Sequence, residues 1–235
     1  MNDIINEIRK DLIAHADARI RDSSFHFFKE PVKPYGVRTA TVTLIAKEHF
    51  ARLKGIPKSE IFKLCDLLWQ SGYLEETFIA CQYSHAVRKQ YEPADFVILE
   101  KWISAYVNNW ASCDTLCNHT VGDFIVMYPE FLAKLKEFTY SDNRWMRRAA
   151  SVSLIVPARK GKFLTDIFEI ADLLLTDPDD LVQKGYGWML KAASQAHQQE
   201  VYQYVLSKKA IMPRTALRYA IEKMPPEMRS EAMKK

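Results

Sequence analysis

A chain of 235 residues that is 48% apolar and 26% charged can bury a sizeable core and is not disordered, and only 7 glycines are too few for a turn-rich sheet protein. The net charge of +4, from 33 Lys and Arg against 29 Asp and Glu, is too mild to identify a partner by its total. Four cysteines (Cys65, Cys81, Cys113 and Cys117), set in apolar or helical surroundings, exclude the dense disulfide framework of a small secreted domain.

Apolar residues recur at three- and four-residue spacing almost throughout, which predicts helices. The first helix is expected from Asp3 to Ile20, with Ile4, Ile5, Ile8, Leu12 and Ile13 on one face. Phe25 to Val37, which holds Pro31, Pro34 and Gly36, reads as a loop. Thr39 is expected to cap a helix that runs to Leu53. Further helices follow at Ser59–Trp69, Leu74–Gln90, Pro93–Val107, Trp110–Met127, Pro129–Phe138, Arg144–Val156, Phe163–Leu175, Asp179–Ala196, Gln199–Ser207 and Pro213–Glu222. Pro57, Pro93, Pro129, Pro157, Pro178 and Pro213 punctuate their boundaries.

Three stretches repeat a theme of small residues in a helix: Arg147-Arg148-Ala149-Ala150, Lys184-Gly185-Tyr186-Gly187-Trp188 and Thr215-Ala216-Leu217-Arg218-Tyr219-Ala220. They lie roughly 30–40 residues apart, as in helical repeats. Stacked antiparallel helix pairs forming one all-α, HEAT-like solenoid over 1–235, with a concave face, are the expected architecture; a compact irregular bundle is the alternative. No apolar core of a signal peptide stands at the N-terminus, and no apolar run reaches the roughly 20 residues of a membrane span, so a cytoplasmic protein without a membrane partner is expected.

Charge is uneven along the chain. Arg144, Arg147, Arg148, Arg159, Lys160, Lys162, Lys184, Lys191, Lys208, Lys209, Arg214 and Arg218 fall in one stretch, a pattern that suits a polyanion or a solvated helix surface about equally. Three segments could carry chemistry. In Asn108-Asn109-Trp110-Ala111-Ser112-Cys113-Asp114, the indole and the carboxylate are four residues apart and so share a helix face. In Ser141-Asp142-Asn143-Arg144-Trp145-Met146-Arg147-Arg148, cations crowd a helix N-terminus, where the helix dipole disfavours them, so another interaction must hold them there. In Gln183-Lys184-Gly185-Tyr186-Gly187-Trp188, two glycines inside a helix cost about 1 kcal/mol each relative to alanine, which close packing against the backbone would justify. Singly, each of these residues reads as ordinary packing or surface charge. Cys113, Cys117 and His119 lack the spacing and the fourth ligand of a zinc site, so no metal and no cofactor is expected.

Taken together and in order, Trp110-x-x-x-Asp114, Ser141-Asp142-Asn143-x-Trp145-x-x-Arg148-Ala149-Ala150, Lys184-Gly185-x-Gly187-Trp188-x-Leu190-Lys191 and Pro213-Arg214-x-Ala216-x-Arg218-Tyr219-Ala220 resemble the DNA alkylation repair family of HEAT-like-repeat glycosylases, the AlkD type. The resemblance runs from Asp3 to Pro226. It implies an α-helical superhelix with DNA on its concave side, a monomer, and removal of N3- or N7-alkylated purines from duplex DNA as a first step of base excision repair. The positions of Trp110, Asp114 and Trp188 then surround the sugar of the damaged nucleotide, and Arg148 contacts DNA near the lesion. Arg144, Arg147, Lys184, Arg214 and Thr39 are further DNA-contact candidates. Relatives that bind distorted or branched DNA without catalysis supply the alternative function. The chemistry suits these residue types. A cationic alkylpurine is already a good leaving group, a carboxylate stabilises the positive charge that develops on deoxyribose, and indole faces add cation–π attraction of roughly 0.5–2 kcal/mol each.

Overall fold

The computed structural model describes residues 2–234 and is helical from end to end, with an isolated bridge between Lys33 and Tyr73 as its one trace of β pairing among the described residues. No helix there is long and apolar enough to cross a membrane. The chain divides into two compact units, residues 1–116 and 117–235.

The first unit contains α1 (Asn2–Ala14), α2 (Ala18–Phe27), α3 (Thr39–Ala51), α4 (Lys58–Gln70), α5 (Leu74–Ala86), α6 (Phe96–Ala105) and α7 (Trp110–Thr115). Ile4, Ile5, Ile8 and Leu12 form the buried stripe of α1, as their spacing predicts, whereas Ile13 is exposed. The expected single helix from Asp3 to Ile20 is two helices. Asp17 interrupts it: its carboxylate accepts the Arg19 N–H at 2.8 Å and caps α2, while its own N–H donates to the Gly36 carbonyl at 3.0 Å. Helix α2 then continues to Phe27, into the stretch that reads as loop.

That loop is held from inside. Glu75 and Glu76, both buried, open α5. The Glu75 carboxylate accepts the backbone N–H groups of Tyr35, Gly36 and Val37 at 2.9, 2.8 and 3.0 Å. Glu76 receives a two-pronged guanidinium from Arg9 (3.0 Å for both bonds) and the Tyr35 hydroxyl at 2.7 Å. Burial, together with this bond to an anion, pushes the Tyr35 phenol well above its ordinary pKa. Gly36, at φ +93°, has no room for a side chain: a Cβ would sit 2.5 Å from the Asp17 carbonyl oxygen. Arg38 is the residue that precedes α3, and Thr39 is its first helical residue, so Thr39 does not cap the helix as expected. Helices α4 and α5 pack as an antiparallel pair around Trp69, Tyr83, Leu68 and Ile79, with Trp102 and Leu99 of α6 completing the core.

The second unit contains α8 (Gly122–Met127), α9 (Leu132–Phe138), α10 (Arg144–Val152), α11 (Ile155–Arg159), α12 (Leu164–Leu173), α13 (Asp180–Ala193), α14 (Gln198–Lys208), α15 (Arg214–Ile221) and α16 (Pro226–Met233). Helices α10, α13 and α15 begin about 35 residues apart and pack side by side, α13 between the other two, which is the repeat the small-residue motifs announced. The residues at these seams are small: Ala149, Ala150, Gly185, Gly187, Ala192, Ala216 and Ala220 are all buried. At Gly187 an added Cβ would lie 2.7 Å from the Tyr219 Cβ and 2.8 Å from the Ala216 carbonyl oxygen. The two helices approach so closely only because that side chain is missing. Tyr186 between the glycines is wholly buried and donates to the Leu175 carbonyl at 2.9 Å, a packing role as expected. Tyr83 and Tyr91 are likewise core residues.

The segment expected as one helix from Trp110 to Met127 changes its winding midway, through a π-helical turn at Leu116–Val121. The expected Arg144–Val156 helix breaks after Val152, and Pro157, expected at a boundary, sits within α11. Helix α16 is not expected from the sequence pattern; Pro226 opens it at a position where a missing N–H costs nothing.

Candidate functional site

The first group of candidate residues belongs to the first unit. Asn109 is buried and in extended conformation, and its carboxamide oxygen accepts the Ser112 N–H at 2.9 Å, so α7 starts at Trp110. The Asn109 amide also donates to the Ser112 hydroxyl at 3.0 Å, and the Thr77 hydroxyl of α5 lies 3.1 Å from that same group. This polar network fixes the register of the helix. Trp110 and Asp114 therefore project one turn apart, both half-buried. The Trp110 ring packs against Phe27 and Phe28, with both ring centroids 5.6 Å away. Phe28 is nearly buried at 9% exposure, whereas Phe27 remains 66% exposed at the end of α2. Beside Phe27 lies a hollow of about 480 Å³, lined also by Asp17, Arg19, Ser23, Ser24 and Arg38.

Sequence reading misses Phe27 and Phe28 because they fall in a proline-containing stretch that reads as loop. The signal is present all the same: three phenylalanines within Phe25-His26-Phe27-Phe28 are more aromatic surface than a solvated loop carries. Thr39 is exposed at the start of α3, in the same unit.

The second group belongs to the second unit, and its cations are mostly engaged within the protein. Arg144 pairs with Asp179 at 2.8 and 3.0 Å and lies over the Trp145 ring, 5.1 Å from its centroid. Arg147 pairs with the well-buried Asp177 carboxylate at 2.7 Å and donates to the Ser141 and Asp142 carbonyls at 2.9 and 3.1 Å. Arg148 is only 5% exposed, donates to the Leu181 carbonyl, and lies along the face of α13 that Gly185 leaves open; a Cβ there would touch its Cγ at 3.4 Å. Lys184 reaches Asp180 at 2.9 Å. Asp179 caps α13 by accepting the Leu181 and Val182 N–H groups.

The cationic start of α10, unfavourable by its own helix dipole, is thus compensated by the acidic segment that opens α13. Arg214, at the N-terminus of α15, donates to the Met233 carbonyl at 3.3 Å. Trp188 is half-buried on α13, on the turn that follows Gly185 and Gly187. Cys113 and Cys117 are buried, and neither forms a disulfide.

An all-helical repeat chain with an indole and a carboxylate on one capped helix, and an arginine-bearing helix braced against a glycine-notched one, is a class of fold and site that comparison with known proteins narrows. The family model for DNA alkylation repair enzymes matches residues 8–224, and the chain belongs to that family. Membership implies DNA as the partner and a role in repair of alkylation damage. Among solved structures, a predicted DNA alkylation repair enzyme from Enterococcus faecalis has the same fold, with a TM-score of 0.80 at 15% identity over 90% of this chain and 98% of that one. No curated protein matches the sequence.

Proposed function

We propose that the protein is a monofunctional DNA glycosylase that hydrolyses the N-glycosidic bond of cationic N3- or N7-alkylated purines in duplex DNA. The observation that carries this reading is the placement on α7 of Asp114 one helical turn from Trp110, whose ring Phe27 and Phe28 support. In the reaction, the bond from C1′ to the purine nitrogen breaks and its electron pair neutralises the cationic base, which leaves uncharged. Positive charge grows on the deoxyribose, and the Asp114 carboxylate stabilises it while orienting a water whose oxygen bonds to C1′. The proton of that water passes to the carboxylate and on to solvent. Trp110 presents a negative ring face to the same charge, and the family resemblance gives Trp188 the matching duty. Arg148, held against α13, contacts phosphate near the lesion in this scheme, with Arg144, Arg147, Lys184, Arg214 and Thr39 along the same DNA. The scheme needs neither metal nor cofactor, and one copy of the chain suffices for it.

The test is release of free base from methylated duplex DNA by the wild type and by Asp114→Asn. A drop of about 10²–10³-fold is expected, the scale for removing one preorganised electrostatic group. Equal release by the two proteins would reject the role of Asp114. Tight binding to distorted or branched DNA without release by either would favour a non-catalytic DNA-binding protein.

A further inference from the structure

We infer that the turn Arg159-Lys160-Gly161-Lys162, between α11 and α12, is a DNA phosphate-binding element outside the lesion site. Five other cations of this unit provide the contrast, and its further exposed cations without a partner among the described residues, Arg218, Lys223 and Arg229, stand singly along the chain instead of in one turn. Arg144, Arg147, Lys184, Lys191 and Lys208 are each bound to a carboxylate, respectively Asp179, Asp177, Asp180, Glu222 and Asp172. Arg159, Lys160 and Lys162 are all exposed, and their side chains make no hydrogen bond or ion pair among the described residues. Three uncompensated positive charges within four residues repel one another, and burial does not hold them together. The backbone does.

The turn is built from residues in unusual conformations. Gly161 has φ +75° and Phe163 has φ +62°, the latter the single non-glycine residue with positive φ among those described. A left-handed bulky side chain costs roughly 1–3 kcal/mol and persists only where the surroundings impose it. They do so here through the Lys160 and Lys162 N–H groups, both donated to the Pro157 carbonyl at 3.0 and 3.1 Å, and through the Gly161 N–H donated to the Ala158 carbonyl at 2.9 Å. His197, from the segment that opens α14, lies with Nε2 3.1 Å from the Gly161 carbonyl and would stand 3.3 Å from a Cβ at Gly161.

Two acidic groups neighbour the turn and neither neutralises it. Asp166 is bound to Lys136 at 2.7 Å, and Glu200 faces His197 at 3.7 Å. Favourable placement at the C-terminal end of α11 accounts for Arg159 and Lys160 but not for Lys162, which lies beyond the helix. A rigid backbone that displays three free cations fits a repeating polyanion, and the partner the family implies is DNA. The inference depends on DNA binding and not on the glycosylase reading.

The experiment is titration of undamaged duplex DNA by fluorescence anisotropy over a range of salt concentrations, for the wild type and for the triple variant Arg159→Ala, Lys160→Ala, Lys162→Ala. Each phosphate that is no longer neutralised lowers the steepness of log K against log salt by about 0.9, so a decrease of about two to three is expected, with at least tenfold weaker binding at low salt. A second triple variant, Lys47→Ala, Lys54→Ala, Lys89→Ala, removes the same charge from exposed positions of the first unit and should leave the slope unchanged. The Lys160→Arg, Lys162→Arg protein should bind like the wild type. An unchanged slope in the turn variant, or an equal fall in both triple variants, would overturn the inference. Because the DNA carries no lesion, failure of the glycosylase reading leaves this result intact.

Discussion

Replacing Gly187 with alanine tests the tight seam between α13 and α15. An alanine in mid-helix is intrinsically better than glycine by about 1 kcal/mol, so on propensity alone the variant should be more stable. The structure opposes that gain. The new Cβ would stand 2.7 Å from the Tyr219 Cβ, 2.8 Å from the Ala216 carbonyl oxygen and 3.1 Å from the Ala216 Cα. All three atoms are backbone or fixed to it, and none can rotate away. Restoring ordinary van der Waals distances requires α13 and α15 to separate by roughly 0.8 Å along their whole seam. Overpacking of this kind costs about 1–3 kcal/mol or more. With the propensity gain subtracted, the net destabilisation should reach up to about 2 kcal/mol, which lowers the melting temperature by up to about 8 °C in a chain of this size. Gly185→Ala is the milder comparison, since its nearest obstacle at 2.9 Å is a side-chain atom, the Ser151 hydroxyl, which yields at the cost of its bond to the Arg148 carbonyl at 3.0 Å instead of forcing two helices apart. Thermal melting followed by circular dichroism reads both. A Gly187→Ala protein that melts at or above the wild-type temperature would refute the close-packing argument.

Two further outcomes follow from paired charges. Burial opposes ionisation of Asp66, but hydrogen bonds from the Lys101 ammonium at 2.9 Å and the Trp102 indole at 3.1 Å outweigh it and hold the carboxyl below its usual pKa. A depressed folded-state value stabilises the protein above the ordinary carboxylate range and loses that stabilisation as pH falls through the folded value, so the stability gap between wild type and Asp66→Asn in urea unfolding should be full at pH 6 and close below about pH 4; a gap constant with pH would contradict this. Arg147→Met should destabilise by up to about 3 kcal/mol because it leaves the buried Asp177 carboxylate with the Asp179 N–H but no counter-charge, while the added Asp177→Asn change should restore much of the loss, as a double-mutant cycle in urea would register.

The stacked helices were legible because their signal is local. Three- and four-residue spacing of apolar positions reports the buried face directly, and the glycine pair around Tyr186 pointed to close packing that the seam with α15 bears out. Deviations within helices were not legible. Asp17 breaks the first helix through a bond to Gly36, and the π-helical turn at Leu116–Val121 has the same apolar composition as an α-helix. Helix α16 escaped because the pair Pro225-Pro226 reads as a stop, whereas the second proline is a start. Among candidate site residues, a cap before Trp110 is readable from two adjacent asparagines, Asn108 and Asn109, and only the structure assigns it to Asn109. The support of Trp110 by Phe27 and Phe28 spans more than eighty positions and left no periodic trace.

Charge is where sequence and structure part most instructively. A run of arginines and lysines reads from sequence as one cationic surface, yet carboxylates about thirty residues away claim much of it. Asp177 and Asp179 engage Arg147 and Arg144, and Asp179 also caps the helix that carries Trp188. These arginines therefore set the start of α13, and so the register of Trp188, whether or not they touch a ligand. A residue in such a brace loses two things when mutated, and loss of DNA binding alone would not reveal its role. The cations that separate the two effects are those without a protein partner, because removing them breaks no ion pair within the fold. The partition into braced and free charges, invisible in composition, decides which substitutions report on binding.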